Sequence, residues 1–205
     1  LITLVKDAIF LYPERENGFK EIIPLGTNDE GNEFGIEGFY LEEDELVFTN
    51  ERPYVIYGYA GVPPEKTASF EPGTRIHFHD NSGLIAAQLS SIHVLGEQST
   101  HPELQEGEVI FEGDRLEPFF ENIPGQWGTI WLTAGSTNHI FRYATIKNAS
   151  VGILMDYNDE TENPTLVLEQ TQIHNSSSVG LWAKTGHVRS VNSIFGNAGN
   201  ASFYG

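Results

Sequence analysis

The sequence predicts an all-β protein built as a parallel β-helix, a solenoid of short stacked strands. Its composition is the first indication. The chain of 205 residues contains 21 glycines and 10 prolines, and aromatic residues make up 12% of it. Glycine and proline favour turns, whereas aromatic residues favour strands. Because 39% of the residues are hydrophobic, the chain can also form a folded core.

A repeat in the second half of the chain is the second indication. A glycine followed by apolar residues recurs 24 and then 28 residues apart, at Gly128, Gly152 and Gly180. A second motif, an aromatic or apolar residue two places before an asparagine, recurs 27 and then 22 residues apart and ends at Asn148, Asn175 and Asn197. A third strand-like segment lies between them, at 141–143, 165–168 and 188–191. Three short strands per period predict a parallel β-helix.

The repeated asparagines and glycines have a structural interpretation. A sharp turn between two strands of a β-helix requires a residue in the left-handed backbone conformation, and asparagine tolerates that conformation best after glycine. We therefore predict that Asn148, Asn175 and Asn197 are turn residues stacked in one column, and that Gly128, Gly152 and Gly180 form another. At a coil spacing of about 4.8 Å, stacked asparagine amides can also hydrogen-bond along the solenoid axis.

Strand-like segments at 75–78, 83–86, 91–94 and 109–111 extend the solenoid towards the amino terminus. The 45 residues from Gly83 to Gly128 exceed one period, so insertions must leave the solenoid near 96–107 and 113–126. Acidic and aromatic side chains are mixed there, and loops on a solenoid often carry function. The candidate ligand-binding residues in and just after the second insertion are Phe119, Phe120, Trp127 and Trp131.

Residues 1–53 do not follow the period. An open solenoid end exposes unpaired strand edges, so we expect these residues to form an irregular β segment that caps the first coil. Residues 54–205 are the predicted β-helix. Because 201–204 resembles the start of another strand, we expect further coils to follow.

The charge of the chain excludes one class of partner. The net charge is −18, and residues 1–121 hold 24 of the 29 acidic side chains but only 7 of the 11 basic ones. Such a surface repels the phosphates of nucleic acids and of anionic lipids, so no nucleic-acid partner is expected. No segment has the pattern of a transmembrane helix, and the absence of cysteine excludes disulfides and thiolate chemistry.

The sequence suggests few reactive sites. Asp156, Asn158 and Asp159 lie in a loop whose oxygens could bind calcium, although a solvated acidic turn is the favoured interpretation. His77 and His79 lie on one face of a strand, but a zinc site needs a third ligand that the sequence does not identify. We therefore predict no catalytic residue, and calcium is the only cofactor that the sequence suggests.

Several motifs carry a resemblance to a known family. They are RIHFHDNSGLI at 75–85, FEGDRLEP at 111–118, PGQWG at 124–128, TIKNA at 145–149 and QIHNSS at 172–177. These resemble a family of exported right-handed parallel β-helix proteins of the Bacteroidota. The resemblance implies a right-handed solenoid and a surface lipoprotein whose lipid anchor lies upstream of Leu1. It also implies a location on the extracellular face of the outer membrane, or secretion, and it supplies no catalytic residues.

Two classes of function follow as expectations. The first is a non-catalytic cell-surface protein that binds a glycan or a partner protein of the outer membrane. The alternative is a lyase or glycoside hydrolase that acts on an extracellular polysaccharide. Such enzymes need paired carboxylates, or a lysine and an arginine beside bound calcium, and the spacing of this sequence does not bring either set together. The non-catalytic function is therefore favoured.

Overall fold

A computed structural model describes residues 7–13, 21–27, 30–157 and 162–205. The protein is all-β, and its parallel sheets stack as a solenoid of about seven turns, which confirms the predicted fold class. The right-handed sense stays a prediction. The helical segments among the described residues are two three-residue 3-10 turns, Glu43–Glu45 and Pro118–Phe120, so no helix there could span a membrane.

The strands are short, as the sequence predicts. They are β1 Ile9–Leu11, β2 Glu21–Thr27, β3 Glu33–Tyr40, β4 Val47–Phe48, β5 Tyr54–Ile56, β6 Tyr59–Val62, β7 Thr67–Phe70, β8 Arg75–Phe78, β9 Gly83–Ala86, β10 Ser91–Leu95, β11 Val109–Gly113, β12 Ile130–Leu132, β13 His139–Arg142, β14 Ala144–Lys147, β15 Val151–Met155, β16 Leu166–Glu169, β17 Gln172–Ser176, β18 Val179–Ala183, β19 Val188–Val191, β20 Ile194–Ala198 and β21 Ala201–Tyr204.

These strands form three sheets that run the length of the solenoid. Sheet A has the order β1-β5-β8-β11-β14-β17-β20, and sheet B has the order β2-β3-β6-β9-β12-β15-β18-β21. Sheet C has the order β19-β16-β13-β10-β7-β4. Each chain turn therefore contributes one strand to each sheet, and every pairing is parallel except that of β2 with β3.

Inward side chains of equivalent strands stack along the axis to form the core. In sheet A, Ile76, Phe111, Ile146 and Ile173 lie opposite one another in the ladder, and all are fully buried. Burial of one such side chain stabilises the fold by about 1.5–3 kcal/mol. This stacking explains why branched and aromatic residues recur with the coil period.

The described part of residues 1–53 supplies a strand to every sheet. Strands β1, β3 and β4 pair in parallel with β5, β6 and β7. Strand β2 turns back against β3, and its Ile23 and Leu25 form a small separate cluster with Ile85. The neighbours of Ile85 in the strand, Leu84 and Ala86, belong to the main core, so this cluster lies on the outer face of sheet B. A domain boundary at residue 53 stays a prediction.

The predicted glycine column needs one correction. Ile130 pairs with Ile153, so Thr129 lies opposite Gly152, and Gly128 lies opposite Val151. The placement of Gly128 beside Gly152 was therefore wrong by one residue. The reason is a bulge at the corner before β15. Trp127 pairs with Ala149, and Ile130 pairs with Ile153. The two pairs are therefore three residues apart on one segment and four apart on the other, so one segment carries an extra residue.

Candidate binding groove

The insertion at 113–126 folds back over the solenoid and is held there by side-chain amides. Gln126 Nε2 donates to the carbonyl oxygens of Phe120, at 2.6 Å, and Ile123, at 2.8 Å. Asn148 Nδ2 donates to the carbonyl oxygen of Glu121 at 3.0 Å. These bonds fix the insertion as one wall of a cleft.

The column of asparagines provides a further anchor for this wall. Asn148, Asn175 and Asn197 have φ values of 66°, 55° and 50°, in the left-handed region. Asn197 Nδ2 donates to Asn175 Oδ1 at 2.5 Å, but Asn175 Nδ2 donates at 3.1 Å to Asn122 of the insertion rather than to Asn148. The expected amide ladder therefore joins two of the three asparagines, and the insertion occupies the remaining donor groups.

A cleft of about 380 Å³ lies between the insertion and the turn that follows β8. The polar and aromatic side chains that line it are His79, Asp80, Asp114, Arg115, Phe120 and Gln126. The first two come from the turn and the others from the insertion. The cleft therefore exists only because a strand end and an inserted loop lie side by side.

A histidine and a carboxylate are paired in this cleft. His79 Nδ1 lies 2.7 Å from Asp114 Oδ2, and the His79 side chain is 50% exposed. Because a carboxylate only accepts hydrogen bonds, Nδ1 carries the proton in this pair. The other ring nitrogen, Nε2, forms no hydrogen bond with a described residue and can therefore form one with a ligand.

A second histidine and carboxylate lie next to the first pair but do not reach the cleft. His77 Nδ1 is 3.5 Å from Glu112, whose other oxygen forms an ion pair with Lys147 at 2.8 Å. His77 is only 4% exposed, and burial lowers its pKa, with the charge of Glu112 opposing the shift. The neutral imidazole of His77 is therefore structural. The described residues contain no group of three or more histidine, cysteine, aspartate or glutamate side chains able to hold a metal.

Two opposite charges complete the cleft. The guanidinium of Arg115 lies over the ring of Phe120, 4.6 Å from its centroid. Asp80 is exposed, and the described residues offer its carboxylate neither a hydrogen bond nor an ion pair. The carboxylate of Asp80 is therefore available to a ligand.

An aromatic row continues from the cleft along the solenoid. The ring of Tyr57 lies 4.6 Å from that of His79, and Phe10 lies 6.3 Å from Tyr57. A second depression, of about 370 Å³, is lined by Phe10, Tyr12, Pro13 and Tyr57. The cleft and this depression meet at the Tyr57–His79 contact, and we call them together the groove.

The structure separates the four candidate aromatic residues. Phe120 lines the groove, and Phe119 is 77% exposed at its rim, edge-on to Phe120. Trp131 lies on the outer face of sheet B, where its Nε1 donates to Asp156. The prediction that Trp127 binds a ligand was wrong: its side chain is 1% exposed, and its ring stacks on that of Phe78, with ring centroids 4.3 Å apart. Trp127 is a core residue, because its ring points inward at the start of a coil.

The predicted calcium loop receives little support from its described part. The carboxylate of Asp156 accepts hydrogen bonds from Trp131 Nε1 at 2.5 Å and from Lys184 Nζ at 2.6 Å. An ammonium group so close opposes a divalent cation. Asn158 and Asp159 lie outside the described residues.

Sequence reasoning missed most of the groove. The sequence does not predict that Tyr57, Asp80 and the adjacent pair Asp114 and Arg115 form one site, because these three positions are far apart in the sequence. One signal was present: two histidines spaced by two residues at 77 and 79, and two carboxylates spaced by two at 112 and 114. Residues with this spacing share a strand face, and the parallel pairing of β8 with β11 brings the two sets together.

Comparisons of the chain with models of protein families, with curated proteins and with solved structures find no match. The groove itself is therefore the basis for inferring a function.

Proposed function

We propose that the protein is a non-catalytic, exported surface protein that binds a glycan in the groove. One observation carries the proposal: aromatic rings and unoccupied hydrogen-bonding groups converge on a single open groove. Sugars present apolar C–H faces and polar hydroxyl edges, so a site for them needs both kinds of group. Tyr57 and Phe120 supply rings, and His79 Nε2 and the Asp80 carboxylate supply hydrogen-bonding groups.

The shape of the groove favours a glycan over a folded partner protein. A stable protein–protein interface buries on the order of 1,000 Å² or more and centres on a broad, well-packed patch. The groove instead consists of two neighbouring depressions, of about 380 and 370 Å³. A chain of a few sugar units fits two such depressions better than a flat protein surface does.

The proposed surface location is supported by composition. An acidic chain without cysteine stays soluble and needs no oxidation after export. The resemblance to exported β-helix proteins points the same way, to the extracellular face of the outer membrane or to secretion. At that location, a protein of the outer membrane is the alternative partner to a glycan.

Removal of the groove rings tests the proposed function. A glycan array with the purified chain should identify bound oligosaccharides, and calorimetry should then give their affinity. We expect Tyr57→Ala and Phe120→Ala each to weaken binding tenfold or more, because each removes a stacking surface of the groove. Tyr204→Ala is the matched control: Tyr204 is 60% exposed on β21 of sheet B, away from the groove, and its loss should leave the affinity unchanged.

An array without any bound glycan, or equal losses in all three variants, would reject the proposal. Circular dichroism spectra of the variants establish that each one is folded.

Polysaccharide cleavage is the second candidate, and the His79–Asp114 hydrogen bond is the observation that favours it. A histidine oriented by a carboxylate can act as a general base. The glycans found on the array should therefore be incubated with the protein and analysed for reducing ends and unsaturated products. If the protein releases such products and the His79→Gln variant does not, the function of the groove is catalysis and not binding alone.

A further inference from the structure

We infer that the groove selects glycans with free, positively charged amino groups, and that Asp80 binds the ammonium. This inference depends on the proposed glycan-binding function and adds the class of sugar. The probe class is oligosaccharides of glucosamine, as opposed to their N-acetylated or acidic counterparts.

The cleft carries more negative than positive charge. Two carboxylates, of Asp80 and Asp114, line it, and they face one cation, Arg115. Asp114 is already paired with His79, and the guanidinium of Arg115 is stacked on Phe120. Asp80 is the charge that no described residue neutralises. An ammonium from a ligand would form the missing ion pair.

The part of the chain that builds the groove is also strongly acidic. The cleft and the aromatic row are built from residues between Phe10 and Gln126. Within residues 1–121, 24 acidic side chains oppose 7 basic ones. A field of this sign raises the local concentration of cations and repels polymers of uronic acids. Charge complementarity therefore favours an amino sugar over an acidic one.

The rings extend the site beyond the cleft. The ring of Tyr57 contacts that of His79, and Tyr57 lines the second depression with Phe10 and Tyr12. The cleft that Asp80 lines can thus bind one amino sugar, and the depression beside it can bind the next unit against aromatic rings.

The test compares three oligosaccharides of equal length in low-salt buffer at neutral pH. We expect the glucosamine oligomer to bind at least tenfold more tightly than the N-acetylglucosamine oligomer, and the galacturonic acid oligomer to bind least. The preference should shrink as salt is added, because an exposed ion pair is screened.

Variants then locate the selectivity. Asp80→Asn should reduce the affinity for the glucosamine oligomer to that for the N-acetylated one, whereas the matched control Asp44→Asn, at an exposed aspartate of the Glu43–Glu45 turn, should not. Arg115→Gln should raise the affinity for the glucosamine oligomer, because it removes the competing cation.

The outcomes separate this inference from the proposed function. Equal binding of glucosamine and N-acetylglucosamine oligomers, or tighter binding of the galacturonic acid oligomer, overturns the inference and leaves glycan binding intact. Failure to bind any oligosaccharide overturns both. Binding of oligolysine as tightly as the glucosamine oligomer also overturns the inference, since it shows that the groove takes cationic peptides.

Discussion

At the scale of single residues, His139 shows how strongly the core selects a protonation state. The side chain is fully buried, its Nδ1 accepts a hydrogen bond from the Ile92 N–H at 3.2 Å, and its Nε2 lies 3.0 Å from Ser136 Oγ. Burial lowers the pKa of His139 to about 3, and the charge of His93 adds to the shift. The folded protein therefore holds this imidazole neutral over most of the pH range.

This shift predicts a loss of stability in acid. Below the ordinary histidine pKa of 6.5, the unfolded chain binds a proton at His139 that the folded chain cannot bind until about pH 3. The free energy of unfolding should therefore fall between those values, by up to about 4 kcal/mol from this residue. Urea unfolding across this range measures the loss. His139→Gln should remove that part of the slope, and a slope unchanged by the substitution would contradict the assignment.

At the scale of the strand, the glycines of β15 and β18 are required by the close approach of neighbouring coils. A methyl group at Gly152 would lie 2.5 Å from the carbonyl oxygen of Gly180, and one at Gly180 would meet the carbonyl oxygen of Ser202. A real Cβ cannot occupy either place without moving a strand. The glycine motif of the sequence thus reflects backbone contact, whereas the asparagine motif reflects a left-handed turn.

A matched pair of substitutions tests the role of these glycines. Gly152→Ala should destabilise the protein by about 1–3 kcal/mol, because overpacking forces the ladder apart. Gly196→Ala on β20 is the control, since a methyl group there would meet nothing within 4 Å. Thermal unfolding of both variants gives the comparison. Equal melting temperatures would show that the coils can move apart at little cost.

At the scale of the whole molecule, each coil contacts only its neighbours, so stability is expected to vary along the axis. An inward-facing side chain of the last described coil is more exposed than its equivalents in the middle coils: Phe203 is 54% exposed, whereas Ile130, Ile153 and Leu181 in the same column are fully buried. Strands with few buried contacts open more readily. The axis should therefore show a gradient of protection.

Hydrogen exchange measures this gradient. In a purified fragment of these 205 residues, amides of β19, β20 and β21 should exchange faster than those of β12 and β15, because no described coil packs against them on one side. Uniform protection along the chain would indicate that the solenoid unfolds as one cooperative unit.

The sequence by itself determined the fold class and much of the strand positions in the second half. Inward side chains, glycines and asparagines each have a local physical requirement that repeats with the coil, so the period is visible without coordinates. It also located the insertion at 113–126 and the exposed ring of Phe119. The predicted position of Gly128 in the glycine column was wrong by one residue, and the side chain of Trp127 points inward, whereas a ligand-binding role requires it to be exposed. Both errors arise because a bulge at the corner does not appear in the sequence repeat.

Only the tertiary structure decided where the groove lies and which groups it contains. Tyr57, His79 and Asp114 belong to three successive coils, and parallel stacking places them side by side although 57 residues separate the first from the last. Arg115 and Phe120 join them because amide hydrogen bonds fold the insertion back onto the asparagine corner. Contacts of this kind depend on register and loop path, and those are set by the summed packing of the coils rather than by any local sequence pattern.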